Sequence, residues 1–185
     1  MLDVQPTGIP DVKIVTPQRF GDHRGFFSET YNRQRFAEAG ICEEFVQDNH
    51  SLSAASGTVR GLHFQSRPYA QTKLIRVVRG RILDVAVDIR RSSPTYGKHV
   101  AVELSAENGR QLFVPVGFAH GFCTLEPDTE ILYKVSAFYS AAHDHGLAFD
   151  DPALGIAWPI PPGQAILSDK DRKHPRLAEL PSFFD

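Results

Sequence analysis

Short runs of alternating apolar and polar residues constrain the fold of this chain more than any other feature of its sequence. In the segment from Arg81 to Arg90, RILDVAVDIR, every second residue from Leu83 to Ile89 is a large aliphatic one. Asp84 and Asp88 fall on the other face of the same segment. A repeat of two residues is that of a β-strand with one buried face. We therefore predict a strand whose core face is the one from Leu83 to Ile89.

The same repeat predicts further strands and only one helix. The other predicted strands are Val12–Thr16, Phe26–Tyr31, Phe45–Leu52, Val59–Phe64, Lys73–Val78, His99–Ser105, Gln111–Val114 and Thr129–Phe138. The segment Asn32–Ala39 looks helical, and Gly40 would end the helix. Nine or ten short strands with one or two short helices predict an all-β fold, an antiparallel sandwich or barrel of the jelly-roll type.

Length and composition predict one domain and exclude several classes of protein. The 185 residues fit a single domain spanning 1–185, without an internal repeat or linker. A net charge of -2 disfavours nucleic acid as a partner. No apolar run approaches the roughly 20 residues of a membrane helix, and the first residues lack a signal-peptide pattern. We expect a cytoplasmic protein without membrane association, with Cys42 and Cys123 as free thiols; a single disulfide between them is the alternative.

Three polar side chains break the alternation by sharing a face with apolar residues. Tyr133 is two residues from Ile131, and Lys73 is two residues from Ile75. Each therefore shares a strand face with an apolar residue and should point into the barrel. His63 lies on a third strand in a similar position. Each has a structural alternative: a core tyrosine, a core histidine, or an edge lysine that reaches water. A ligand cavity explains all three residues together.

The alternation of side chains along one strand is difficult to reconcile with such a cavity. Arg60 and His63 are three residues apart, so a regular strand would point them to opposite faces. Both can serve one site only if Gly61 forms a bulge, or Arg60 reaches elsewhere.

A motif in the second half of the chain resembles that of the cupins. Gly109 to Thr124 matches the second cupin motif, with threonine in place of its final asparagine. In the first motif, Gln65 stands where a second histidine is expected, and Lys73 where a glutamate is expected. A site that keeps only His63 and His120 and gains an ammonium would repel a divalent cation. The sequence thus resembles a cupin without a metal.

Seven ordered blocks carry a more specific resemblance, which covers nearly the whole chain. They are Asp22–Glu29, Gln47–Ser51, Arg60–Gln65, Pro115–Phe122, Tyr133–Lys134, Asp151–Pro152 with Trp158–Pro159, and Leu167–Asp171. In these blocks the chain resembles the dTDP-4-dehydrorhamnose 3,5-epimerase family, a branch of the cupins. The resemblance implies epimerisation, with no cofactor, of both carbons beside a 4-keto group of a dTDP-linked 6-deoxyhexose.

The resemblance also implies a role for four residues. His63 would remove the proton next to the ketone, and Asp171 would hold its imidazole. Tyr133 would return a proton on the opposite face of the sugar. Lys73 would stabilise the enolate oxygen. Inversion needs removal and delivery of a proton on opposite faces, and therefore two different groups.

The substrate-binding residues follow from the same resemblance. They are Arg24, Phe27, Glu29, Gln47, Asp48, Asn49, Arg60, Lys73, His120, Asp144 and Lys170. A guanidinium fits paired phosphate oxygens, so Arg24 and Arg60 are expected on the diphosphate. Phe27, with Phe20 and Tyr139, is a candidate for stacking on the base. At Asp144 the family usually has glutamate. The resemblance further implies a homodimer formed through the N-terminal strands, so that Arg24 and Glu29 can belong to the partner's site.

Three other functions stay open at the level of sequence. An epimerase that inverts only one carbon, for a deoxysugar antibiotic pathway, would differ little in these motifs. A sugar-nucleotide-binding barrel without catalysis would not need a base and an acid on opposite faces. A metal-dependent cupin oxygenase would need a bound metal, which metal analysis would reveal.

Overall fold

The computed structural model describes residues 2–185 and is built almost entirely of short strands. In chain order they are β1 (Asp3–Pro6), β2 (Lys13–Thr16), β3 (Arg19–Asp22), β4 (Gly25–Ser28), β5 (Gln47–Ser53), β6 (Val59–Gln65), β7 (Lys73–Arg79), β8 (Arg81–Asp88), β9 (His99–Ser105), β10 (Gln111–Val114), β11 (Phe118–Thr124), β12 (Thr129–Val135) and β13 (Asp144–Gly146). A single α-helix in these residues, α1 (Arg33–Glu38), precedes β5. Short 3-10 turns lie at Ala141–His143, Pro152–Leu154, Pro162–Gln164, Asp171–Lys173 and Leu177–Glu179.

Two antiparallel sheets face each other and form a jelly-roll barrel. One sheet has the order β1-β2-β10-β7-β12-β5, and the other has the order β13-β6-β11-β8-β9. The apolar cluster between them joins Ile75 and Ile131 of the first sheet to Ala86, Leu104 and Phe122 of the second. Strands β3 and β4 pair only with each other in a separate hairpin. The predicted all-β, cupin-like fold is confirmed.

In strand β8, the prediction of which face points into the barrel is wrong. Asp84 is fully buried, and Ala86 on the same face belongs to the cluster between the sheets. Val85 and Val87 on the other face pack against the C-terminal residues Leu180 and Phe184. The face from Leu83 to Ile89 is therefore the outside of the barrel, buried by the C-terminal segment. The apolar repeat correctly indicated a buried face, but the opposite face of β8 is buried as well, inside the barrel.

A bulge in β6 explains how Arg60 and His63 can point to the same side of the sheet. His63 is opposite His120 and Arg60 is opposite Phe122, so two residues of β6 face one residue of β11. Gly61 lies at this irregularity with a φ of 140°. Both Arg60 and His63 consequently point into the barrel, while the side chain of Leu62 packs in the outer cluster.

Several boundaries differ from the predicted ones. The helix begins after Asn32, whose side chain accepts a hydrogen bond from the backbone N–H of Arg35, and the chain turns away at Gly40. The predicted strand Phe26–Tyr31 ends at Ser28, and β12 ends at Val135 rather than Phe138. Sequence reasoning did not predict β1, β3, β11 or β13, which carry fewer clear alternations. The structure contains no helix in residues 2–185 that is long and apolar enough to cross a membrane.

Candidate active site

A cavity of about 450 Å³ lies between the two large sheets. Side chains of β5, β7 and β12 line it from one sheet, and those of β6 and β11 from the other. The segment from Ile166 to Asp171 completes the lining, and a parallel bridge from Ile166 to Thr58 ties this segment to the barrel. The polar lining includes Arg60, His63, Lys73, His120, Tyr133, Lys170 and Asp171.

His63 and Asp171 form a hydrogen-bonded pair at this cavity. The distance from His63 Nε2 to Asp171 Oδ1 is 2.7 Å, and the carboxylate is only 4% exposed. The backbone N–H of Gly61 donates to the other carboxylate oxygen at 3.4 Å. Burial alone would raise the pKa of Asp171, but the hydrogen bond and charge of His63 outweigh it and lower that pKa. An ionised Asp171 assigns the Nε2 proton to His63, which leaves Nδ1 as the nitrogen that can accept a proton.

Lys73 brings a buried ammonium to the same cavity. It is 7% exposed, and its Nζ donates to the backbone carbonyl of His63 at 3.1 Å. Its strand lies inside the six-stranded sheet, between β10 and β12, so the alternative of an edge lysine is wrong. Burial lowers the pKa of Lys73 to about 8, against the opposing charges of Asp144 and Asp84. The ammonium can therefore stabilise an oxyanion inside the barrel.

Tyr133 reaches the cavity from the sheet opposite to His63. Its strand β12 pairs with β7, and Tyr133 faces Ile75 in that register. The side chain lines the cavity, and burial raises the pKa of its hydroxyl. The hydroxyl thus keeps its proton at neutral pH and can donate it.

A second histidine–aspartate pair lies deeper in the barrel. His120 Nε2 and Asp84 Oδ1 are 2.7 Å apart, and both residues are buried. His120 was predicted from the resemblance. Asp84 was missed because the alternation of β8 placed it on the face thought to be outward.

Several predicted binding residues line an adjoining cavity of about 200 Å³. It shares His63, Lys73, Tyr133 and Lys170 with the first cavity, and it adds Gln47, Asn49, Tyr139 and Asp144. Gln47 donates to Asn49 at 2.9 Å and accepts from the backbone N–H of Tyr139 at 3.1 Å. Asp144 forms an ion pair with Lys170 and accepts from the Tyr139 hydroxyl at 3.2 Å. The aspartate at this position thus pairs with a cation that lines the same cavity.

Arg60 is held at the rim of the larger cavity by contacts with β5. Its Nε donates to Ser53 Oγ at 3.1 Å, and its Nη2 donates to the carbonyl of Leu52 at 3.0 Å. These contacts fix the guanidinium beside the cavity that His63 lines.

Four predicted binding residues lie away from both cavities in the single chain. Arg24 is 78% exposed and pairs with Asp22, and Phe27 is 70% exposed. Glu29 pairs with Arg35 at 3.2 Å. Asp48 points to the outer face of its sheet, where it pairs with Lys134 at 2.8 Å. The fold of one chain does not bring these four side chains to His63.

Gln65 has a structural role that sequence reasoning missed. Its side chain donates to the carbonyls of Tyr69 and Phe138 and accepts from the backbone N–H of Ser140. It thereby holds the loop that presents Tyr139. The signal was its place in the cupin motif, where a metal-binding histidine is expected.

His63, Asp171 and His174 place potential metal-ligand atoms within 4.8 Å of one another. The 2.7 Å contact between His63 and Asp171 has the length of a hydrogen bond, which uses Nε2 of the imidazole. The ammonium of Lys73 lies beside the same strand and would repel a cation. These residues fit a proton-transfer pair better than a divalent metal site.

A jelly-roll barrel with a histidine–aspartate pair, a buried lysine and a tyrosine from the opposite sheet defines a cupin-type acid–base enzyme. The model of the family described as dTDP-4-dehydrorhamnose 3,5-epimerase matches residues 6–179. The chain belongs to this family and is an epimerase of the isomerase class.

Individual relatives agree with the family match. The chain is 57% identical over 180 residues to a dTDP-4-dehydrorhamnose 3,5-epimerase of Sinorhizobium fredii, covering 97% of this chain and 92% of the relative. It is similar to the crystal structure of dTDP-6-deoxy-D-glucose-3,5-epimerase from Legionella pneumophila in complex with dTDP-4-keto-L-rhamnose. That similarity has a TM-score of 0.93 and 42% identity, and it covers 98% of this chain and 95% of the other. A dTDP-4-dehydrorhamnose 3-epimerase of Streptomyces niveus is 39% identical over 177 residues, covering 95% of this chain and 84% of the relative.

Proposed function

We propose that the protein inverts C3 and C5 of dTDP-4-keto-6-deoxy-D-glucose and forms dTDP-4-keto-L-rhamnose, a step of dTDP-rhamnose biosynthesis. The observation that carries this proposal is the placement of His63 and Tyr133 on opposite sheets of one cavity that Lys73 also lines. Names of relatives in the family support the choice of substrate. The reaction uses side chains alone and needs no cofactor.

His63 is the general base in this proposal. Its Nδ1 takes the proton from the carbon next to the ketone, and the electron pair of the broken C–H bond moves into the carbonyl to form an enolate. Asp171 stabilises the imidazolium that results, because its carboxylate accepts a hydrogen bond from the Nε2–H group at 2.7 Å. General base catalysis of this kind contributes about 10²–10⁴-fold to the rate.

Lys73 and Tyr133 complete the inversion. The ammonium of Lys73 faces the enolate oxygen, where a fixed charge in a water-poor cavity stabilises the developing anion. Tyr133 delivers its hydroxyl proton to the carbon from the face opposite to His63, and the ketone re-forms. Exchange with solvent then removes the proton from the His63 imidazolium and returns one to the Tyr133 phenolate before the next inversion. Both C3 and C5 are adjacent to the same ketone, so one oxyanion site serves both inversions.

The cations around the cavity suit a nucleotide diphosphate. Arg60 and Lys170 line it from different segments of the chain, and His120 lies deeper. We propose that Arg24, Phe27 and Glu29 reach the site of the partner subunit in a homodimer, since the β3–β4 hairpin that carries two of them stands apart from the large sheets. Gln47, Asn49 and Asp144, which line the adjoining cavity, are proposed as contacts along the sugar and nucleotide, whereas Asp48, paired with Lys134 on the outer face of its sheet, is not placed there. We place the enzyme in the cytoplasm, where its two free cysteines stay reduced.

The test is incubation with the 4-keto sugar nucleotide in D₂O, followed by NMR of the sugar. We expect deuterium at both C3 and C5 with the native protein, and none with His63→Ala. His99→Ala is the matched control, because this histidine lies on β9 and does not line the cavity. In Tyr133→Phe, we expect exchange to persist while net inversion falls.

The same experiment separates the alternatives. Exchange at one carbon only would identify an epimerase of a single centre, as the name of the Streptomyces niveus relative describes that protein. Exchange at neither carbon, with the nucleotide still bound, would identify a binding barrel.

A further inference from the structure

His174 is a buried imidazole that the proposed mechanism does not use. Its side chain is 7% exposed, and neither ring nitrogen has a hydrogen-bond partner among residues 2–185. Buried polar groups without partners cost free energy, and a native structure that contains one requires a reason. An aliphatic side chain would fill the same space without the free-energy cost of two unpaired nitrogens. The reason that an imidazole occupies this position therefore lies with the neighbouring residues.

The neighbours of His174 are the two members of the catalytic pair. Its Nε2 lies 4.0 Å from Asp171 Oδ1, too far for a hydrogen bond. Its ring lies edge-on to the His63 ring, with centroids 5.4 Å apart and planes at 90°. His174 therefore supports the His63 ring from the side while leaving the carboxylate to His63.

Gly146 makes room for this arrangement. It lies on β13 directly opposite His63 of β6. A Cβ atom added at Gly146 would overlap the His174 ring. The His174 ring thus occupies the place of the side chain that β13 lacks next to His63.

The charges around His174 favour its neutral form. The groups that face it are His63 of β6, Asp144 of β13, and Lys170 and Asp171 of the C-terminal segment. Burial lowers the pKa of His174, and the charges of His63 and Lys170 act in the same direction, against Asp171 and Asp144. Asp171 already accepts a hydrogen bond from His63 Nε2 at 2.7 Å.

We propose that His174 is a positioning residue for the general base: it holds the His63 ring in line with Asp171 and stays uncharged during catalysis. This inference rests on the proposed role of His63. Without the ring of His174, His63 can turn into the vacated space and move Nδ1 away from the substrate carbon. A misplacement of about 1 Å can cost on the order of 10²-fold in rate.

The test compares His174→Ala with His174→Phe in the epimerisation assay. We expect His174→Ala to lower kcat about 10- to 10²-fold with little change in KM, because the substrate contacts remain while the base is misaligned. His174→Phe restores the edge-on aromatic contact and should recover most of the lost kcat. His145→Ala is the control, because this imidazole on the same strand as Gly146 packs against Phe64 and Phe183 instead.

The pH profile gives a readout that loss of packing would not produce. In the native protein, protonation of His174 at acidic pH puts a second cation beside His63 and Asp171. We expect log kcat/KM to fall more steeply on the acidic side in the native protein than in His174→Phe, which lacks this proton site. Identical acidic slopes would contradict the requirement for a neutral His174.

Gly146→Ala tests the same contact through stability, with a readout that does not require activity of a His174 variant. We expect the added methyl to lower Tm in the native background and to have a much smaller effect in the His174→Ala background, since the overlapping ring is gone.

Two outcomes would overturn the positioning role of His174: unchanged kcat in His174→Ala, or a loss that His174→Phe does not recover. Failure of the proposed function is a separate result, because the native protein would then show no epimerisation at all.

Discussion

Lys73 shows how the site sets the charge of a single residue. A buried ammonium is disfavoured by its loss of water, and Asp144 and Asp84 offset only part of that effect, which leaves a pKa of about 8. The proposed oxyanion role needs the charged form. The folded protein therefore keeps this catalytic charge over a narrower pH range than an exposed lysine would.

We predict that kcat/KM of the native protein falls as pH rises through about 8, and that Lys73→Arg removes this decline. The guanidinium keeps its charge, although its shape should lower the maximal rate. Rates measured from pH 6.5 to 9.5 check the prediction, and a decline that persists in Lys73→Arg would assign it to another group.

The lowered pKa of Lys73 also predicts the direction in which stability changes with pH. Between the folded pKa of about 8 and the ordinary value of 10.5, the unfolded chain binds more protons at Lys73 than the folded protein. The contribution of Lys73 to the free energy of unfolding therefore rises with pH across this window. Comparison with Lys73→Met isolates that contribution.

At the scale of one element, the bulge of β6 decides which side chains enter the site. Gly61 adopts a φ of 140°, and a Cβ atom there would lie 2.5 Å from Gly121 Cα. The close approach of β6 and β11 at this point lets Arg60 and His63 face the same cavity. The position of His63, the proposed base, thus depends on a residue without a side chain.

We predict that Gly61→Ala lowers both stability and kcat. Backbone strain of this kind costs about 1–3 kcal/mol, which corresponds to a fall in Tm of roughly 2–12 °C for a chain of this size. Gly8→Ala is the matched control, because a Cβ at Gly8 meets no atom within 4 Å. Calorimetry and steady-state rates check the prediction, and a Gly61→Ala protein as stable and active as the control would contradict it.

At the scale of the whole molecule, the exposed hairpin β3–β4 is the part of the chain through which we propose that a second subunit completes the site. The hairpin carries the exposed side chains of Phe20, Phe26 and Phe27. Arg19 lies over the ring of Phe26, with its guanidinium carbon 4.5 Å from the ring centre. An exposed apolar patch with adjacent cations suits contact with another subunit and its nucleotide.

We predict that Arg24→Ala and His63→Ala, each inactive alone, recover activity when they are mixed and allowed to exchange subunits. If Arg24 serves the partner's site, a mixed dimer contains one site with both residues native and one with neither. Random exchange would then restore about a quarter of the native activity, because half the dimers are mixed. If Arg24 served its own chain's site, mixing would restore nothing.

Sequence alone predicted the local properties of the chain. The alternation of residues along strands predicted the all-β fold, and the order of the motifs predicted the family, whose resemblance implied the proposed roles of His63, Lys73, Tyr133 and Asp171. These properties follow from the two-residue repeat of a strand and from residue chemistry, which are local. The boundaries of most strands were close for the same reason.

Only the tertiary structure decided which faces meet. The C-terminal segment covers the outside of β8, so Asp84 turned out to face the interior beside His120. The bulge at Gly61 and the placement of His174 over Gly146 depend on contacts between residues that are distant in the chain. Alternation shows that a strand has two unlike faces. Packing between elements decides which of the two faces lines the cavity, and a local sequence pattern does not contain that information.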